Sequence, residues 1–145
     1  MRSVIQRVKK SRVIIDKAIK AEIDQGLVIL LGIEKGDNQE KADYLAKKIT
    51  NMRIFEDKEG KMNLSLIDIG GEAIVVSQFT LMANTRKGNR PSFTNAAPPD
   101  TASPLVDYFI QKIKSYGVDT QSGEFAAHML VEIHNDGPVT ILLDF

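Results

Sequence analysis

The chain has 145 residues, 43% hydrophobic and 26% charged, with 19 basic and 19 acidic side chains and no cysteine. This fits one globular domain and excludes wholesale disorder, a disulfide framework, a thiolate nucleophile and a cysteine metal site. No apolar run approaches a membrane span, and Met1-Arg2-Ser3-Val4-Ile5-Gln6-Arg7 turns polar too soon for a signal peptide, so the expected location is the cytoplasm.

The zero net charge is unevenly spread. Residues 1–20 hold Arg2, Arg7, Lys9, Lys10, Arg12, Lys17 and Lys20 against Asp16 alone, while 115–145 has no Lys or Arg. A local basic face can steer a phosphate backbone despite a neutral total, and the same residues also suit solvated outer faces of strands.

Residues 2–8 and 12–15 predict short strands with a charged break at Lys9-Lys10-Ser11. Residues 17–23 alternate as a third strand, and Gln25-Gly26 turns it into the doubly apolar run 27–33, giving a β-meander. Asp37 followed by Glu40 predicts a helix start, and Ala42, Leu45, Ile49 and Met52 carry its apolar stripe. Residues 53–72 read as loop. Residues 72–81 form a second buried strand, with Val76, Gln78 and Thr80 on one face and Ser77, Phe79 and Leu81 on the other.

Residues 82–103 are a long polar excursion of the kind that is usually functional or mobile. Ser103-Pro104 is expected to open a helix striped by Leu105, Val106, Phe109, Ile110 and Ile113 and closed by Gly117. Residues 129–134 and 139–143 read as the arms of a hairpin turning at Asn135-Asp136-Gly137-Pro138. The expected fold is a single α+β domain over 1–145, an antiparallel sheet curling toward a barrel with two main helices.

Two places suit chemistry. The Gly137-Pro138 turn can present two bare carbonyls to a cationic amine, although an ordinary hairpin needs the same residues. At the end of the second buried strand, Thr80 suits a weak nucleophile or a water holder. Gln78 and nearby N–H groups suit an oxyanion. Thr80 is equally an ordinary β-branched strand residue, and no neighbouring base is identifiable to activate it. There is no Gly-x-Ser-x-Gly elbow. His128 and His134 lack a third metal ligand, and Gly32-Ile33-Glu34-Lys35-Gly36 lacks the Walker continuation.

Ser77-Gln78-Phe79-Thr80-Leu81 and Asn135-Asp136-Gly137-Pro138-Val139-Thr140 together resemble the D-aminoacyl-tRNA deacylases. The match continues through Val4-Ile5-Gln6-Arg7-Val8, Arg53-Ile54-Phe55-Glu56-Asp57, Gly60-Lys61-Met62-Asn63, Arg90-Pro91-Ser92-Phe93 and Gly123-Glu124-Phe125-Ala126-Ala127-His128-Met129, in order. The resemblance implies a homodimer acting on aminoacyl-tRNA, with active sites at the subunit interface and without metal, organic cofactor, membrane or DNA. It implies that a Gly137-cis-Pro138 turn from the partner receives the substrate amine and rejects L side chains, which cannot exclude glycine.

Ser77, Gln78 and Phe79 would line the site and hold the oxyanion. Phe125 and Met129 would cradle the terminal adenosine, and Arg7 would brace the incoming turn. Thr80 is implied as nucleophile, with positioning as its competing role if the tRNA 2′-hydroxyl assists hydrolysis. Lys87 and Arg90 are candidates for tRNA phosphate contact. One departure is Phe125-Ala126-Ala127, where many relatives have Gly in the middle. A non-catalytic RNA-binding module and a general small-ester hydrolase are the rival readings.

Overall fold

The computed structural model describes residues 1–145. Its longest organising strand is β1 (Arg2–Ile15), which runs through the expected break at Lys9-Lys10-Ser11. The break appears as register shifts between Gln6 and Lys10. There the inward face changes phase: Arg7 and Val8 are both buried, and the strand passes from a cluster containing Ile5 to one containing Val8 and Val13.

Along one edge of β1 lie β2 (Ala18–Ile23) and β3 (Gly26–Gly32), both antiparallel to it. Asp16 and Lys17 have positive φ (49° and 67°) and join β1 to β2, as in a two-residue hairpin turn. The expected meander does not form. A meander would pair β2 with β3, but Ser11 faces Ile23 and Val8 faces Gly26, so both strands use β1 and Asp24-Gln25 is a step rather than a reversal.

The sheet is mixed, not antiparallel. After β3 come helix α1 (Gln39–Thr50), a small hairpin of β4 (Phe55–Glu56) and β5 (Met62–Leu64) within the expected loop, and β6 (Glu72–Ser77). β6 lies parallel to β3, from Gly26 opposite Glu72 to Leu31 opposite Ser77. Helix α2 (Pro99–Ser115) then leads to β7 (Thr120–Ser122), parallel to β6. The doubly apolar character of 27–31 and 73–76 is that of strands covered on both faces. β7 swings back toward β2. The Gln121 side-chain amide donates to the Glu22 carbonyl (2.6 Å) and accepts from the Glu22 N–H (3.0 Å), so one side chain replaces a backbone ladder and nearly closes a barrel.

Ala42, Leu45, Ala46 and Ile49 of α1 join Leu105, Val106, Phe109 and Ile113 of α2 and Ile5, Leu27, Ile29 and Leu31 in the main core. Asn38, not Asp37, caps α1 by accepting the Lys41 N–H (3.1 Å). The Asp37 side chain is buried and accepts from the Met1 ammonium (2.8 Å), Lys41 Nζ (2.8 Å) and the Glu34 N–H (2.7 Å). Burial pushes its carboxyl up, but these donors outweigh it and hold the group below the usual carboxylate range. Helix α2 starts four residues before the expected Ser103, because Pro98-Pro99 supplies a pre-set first turn; Pro104 lies inside the helix. Gly117, with φ +82°, follows its C-terminus as expected. No helix is long and apolar enough to cross a membrane.

Candidate active site

The strand expected over 72–81 stops at Ser77. Gln78 donates its N–H to the Leu31 carbonyl (2.8 Å), and Phe79–Met82 then wind into a 3-10 turn with the Leu81 N–H on the Gln78 carbonyl (3.1 Å). The expected two-face alternation therefore ends before the chemistry begins. Gln78 and Thr80 still meet, because the turn brings Gln78 Nε2 to donate to Thr80 Oγ1.

Gly32 makes this turn possible. A Cβ there would stand 2.7 Å from the Met82 methyl, 3.0 Å from the Gln78 carbonyl oxygen and 3.1 Å from Leu81 Cβ. On the other side Arg2 donates to the Leu81 carbonyl (2.6 Å) and pairs with Asp144 (2.8 Å). In the sequence Gly32 is visible only as the glycine that ends an apolar strand.

Ser77, Gln78 and Phe79 form one wall of a cavity of about 560 Å³. The 123–129 segment between β7 and the last strand supplies the facing wall, including Phe125 and Met129. Gly123 admits Met129: a Cβ at 123 would lie 2.5 Å from the Met129 sulfur. Ala126 sits in the left-handed region at φ +62°. His128, considered from sequence only as a metal ligand without a third partner, is exposed and also lines the cavity. Its signal was only its place beside Phe125 and Met129. Thr80 is exposed and does not line the cavity directly. No group of three or more His, Asp or Glu side chains offers a metal site.

The expected C-terminal hairpin is instead one strand, β8 (Leu130–Asp144). Residues 130–135 face β1 from Ile14 to Val8, and residues 140–144 face Gln6 to Arg2, so both arms pair antiparallel with the same partner. Asp136–Val139 bulge out opposite Arg7 because β1 continues past them and leaves nothing to reverse around. The Gly137–Pro138 peptide is cis, Gly137 has φ +115°, and both residues are exposed.

Arg7 is 5% exposed, which rules out a surface phosphate contact. It donates to the Ile54 carbonyl (2.7 Å) and the Asp136 carbonyl (3.2 Å), and pairs with the Asp136 carboxylate (3.3 Å). It thus braces its own chain's turn, whereas the resemblance pointed to a turn arriving from a partner. Neither Gly137 nor Pro138 lines the cavity of the same chain.

Residues 4–144 match the family model described as D-Tyr-tRNA(Tyr) deacylase. The chain belongs to this family. Curated relatives named D-aminoacyl-tRNA deacylase include one from Fervidobacterium nodosum, 53% identical over 144 residues (99% of this chain, 97% of that one). Another, from Clostridioides difficile strain 630, is 55% identical with the same coverage. Among solved structures, a c-Myc DNA unwinding element binding protein superposes with TM-score 0.94 at 37% identity, covering 100% of this chain and 99% of that one. A probable eukaryotic D-amino acid tRNA deacylase superposes with TM-score 0.83 at 17% identity, covering 99% and 98%, and shares the fold. Membership makes the chain a hydrolase of the aminoacyl-tRNA ester bond.

Proposed function

We propose that the chain works in the cytoplasm as a homodimeric proofreading deacylase. It hydrolyses D-aminoacyl-tRNA and glycyl-tRNA and rejects L-substrates with a Gly137–Pro138 turn supplied across the interface. One observation carries this reading. Ser77, Gln78, Phe79, Phe125 and Met129 converge on one cavity, while the exposed Gly137–Pro138 turn is braced rigidly by a buried arginine and lines no cavity of its own chain. A turn so held is built to enter something else. β8 supports the same arrangement: it pairs only with β1, has no fully buried residue and leaves Leu130 and Leu142 60% and 62% exposed. An open apolar edge of this length invites a second copy.

In this reading, backbone carbonyls of the turn take the substrate's α-ammonium and leave no space for an L side chain. Main-chain atoms reject one hand whatever the side chain is. Phe125 and Met129 hold the terminal adenosine. Ser77, Gln78 and the following backbone N–H groups hold the developing oxyanion, where fixed donors cost no reorganisation during reaction. Thr80, gripped by Gln78, either attacks or positions the reacting group, with the tRNA 2′-hydroxyl assisting hydrolysis.

The deciding experiment is a parallel time course on D-tyrosyl-, L-tyrosyl- and glycyl-tRNA with a chelator present. Rapid release from the D and glycyl substrates alone is expected. Equal release from D and L would remove the chirality gate, and tRNA binding without release would leave a binding module. Thr80→Val sharpens the chemistry: near-complete loss of turnover with retained binding assigns the nucleophile, and retained turnover assigns positioning.

A further inference from the structure

Beside the cavity, Phe79 leaves 56% of its surface exposed. Its ring lies edge-on to Phe93, with centroids 5.1 Å apart and planes at 69°. Phe93 belongs to a hairpin-like loop in which Asn84 and Ser92 exchange backbone hydrogen bonds of 2.8 and 3.0 Å. The loop is anchored next to the site: the Ala97 N–H reaches the Ile33 carbonyl (3.0 Å), and Ala96 and Ala97 line the cavity. Residues 84–94 carry Arg86, Lys87 and Arg90 and no acid. None of the three cations is in an ion pair, although twelve ion pairs tie down charges elsewhere.

We propose that Phe79, Phe93, Arg86, Lys87 and Arg90 form a platform for single-stranded RNA, holding the nucleotides immediately 5′ of the terminal adenosine. The inference rests on the deacylase reading and adds the part of the substrate that lies outside the cavity. An aromatic pair with one ring exposed (Phe79) and one half-buried (Phe93), next to unpaired cations, is a combination that holds a single strand: bases stack on the exposed ring and phosphates meet the cations. Continuity fixes the occupant. Phe79 belongs to the cavity wall and to the pair, so a strand whose last nucleoside enters the cavity must leave past these rings. Stacking of this kind needs no base-edge contacts, which suits a site that meets the same CCA end on every tRNA.

The test compares two synthetic esters, D-tyrosyl-adenosine and D-tyrosyl-CCA trinucleotide, with the full-length protein. Wild type should prefer the trinucleotide by about tenfold or more in kcat/KM, the scale of one stacked base. Phe93→Ala should shrink that preference by raising KM for the longer ester, and Phe93→Tyr should restore it. The triple variant R86A/K87A/R90A should flatten the salt dependence of KM for the trinucleotide. These exposed loop positions decide the matter if Phe93→Ala misfolds.

Equal use of both esters by wild type, or an unchanged preference and salt slope in the variants, overturns the platform. So does a change of sedimentation in Phe93→Ala, which would assign the rings to subunit contact. Hydrolysis of neither ester by wild type, and none of D-tyrosyl-tRNA, brings down the deacylase reading itself, and this inference with it.

Discussion

β6 and β8 each deliver one of the two motifs, yet four of the six residues of β6 are buried, whereas none of the fifteen in β8 is. The Ser-Gln-Phe-Thr motif leaves the end of a strand clamped between β3 and β7, so core packing sets its position. The Asn-Asp-Gly-Pro motif bulges from an edge strand, where a single buried arginine does the holding that hydrophobic burial does elsewhere. A cavity wall has to be fixed relative to its own core. A turn proposed to serve another surface has to be stiff and exposed together, which apolar packing alone cannot achieve.

Breaking the β6 side should cost the most. A Cβ on Gly26 would lie 1.9 Å from the Glu72 carbonyl oxygen, across the parallel β3–β6 pair, with backbone on both sides and no flexible side chain to yield. Gly26→Ala should destabilise the fold by about 4 kcal/mol or more, read as loss of the cooperative melting transition. A melting temperature near wild type would show that the β3–β6 clamp is softer than its geometry implies.

On the β8 side, Arg7→Ala should cost about 2–4 kcal/mol, by stranding the Ile54 and Asp136 carbonyls and leaving a void. Its distinctive effect should be on D/L discrimination, because the turn loses its brace while the cavity stays intact. Arg7→Lys should recover stability better than discrimination, since a single ammonium cannot span both carbonyls as the planar fork does. If Arg7→Ala lost stability but kept full discrimination, the brace would be a fold device only.

The contrast also explains what could be read before the structure. The apolar strand 27–33, the first part of the strand expected over 72–81, both helices and the closing Gly117 follow from burial periodicity and caps, which are local. Whether β3 pairs with β2 or β1, and whether 135–139 reverses or bulges, depends on what lies across the gap. Local turn chemistry is the same in either case. Asp16-Lys17 lacked the glycine that usually announces such a turn. The resemblance placed Ser77, Gln78, Phe79, Phe125 and Met129 in one site; the residues alone could not, because the 3-10 turn that positions Phe79 depends on Gly32 meeting Met82 and Leu81 from a distant segment, and the 123–129 wall comes from another part of the chain.

The 123–129 wall joins the two regions and responds to smaller changes. Gly123→Ala should push the Met129 sulfur toward the cavity, since the new methyl would otherwise sit 2.5 Å from it. Met is flexible and can swing away, so the expected stability loss is only about 1 kcal/mol. The activity readout should move more, as a several-fold rise in KM with kcat little changed, because the displaced thioether would intrude where the proposed function packs the adenosine. A fall in kcat at constant KM would mean that Met129 bears on the reacting end instead.

Ala126→Gly should have the smallest effect, and in the opposite direction. Ala126 holds φ +62°, a left-handed conformation that costs an L-residue about 1–2 kcal/mol. Glycine removes that strain but frees the unfolded chain, at about 0.4–1 kcal/mol, so a net gain of about 0.5 kcal/mol is expected in denaturant titration. The wall would keep its shape, and turnover of D-tyrosyl-tRNA should stay near wild type. A loss of stability would instead show that the alanine methyl earns its strain through contacts in the cavity wall, making Ala126 a packing choice of this chain.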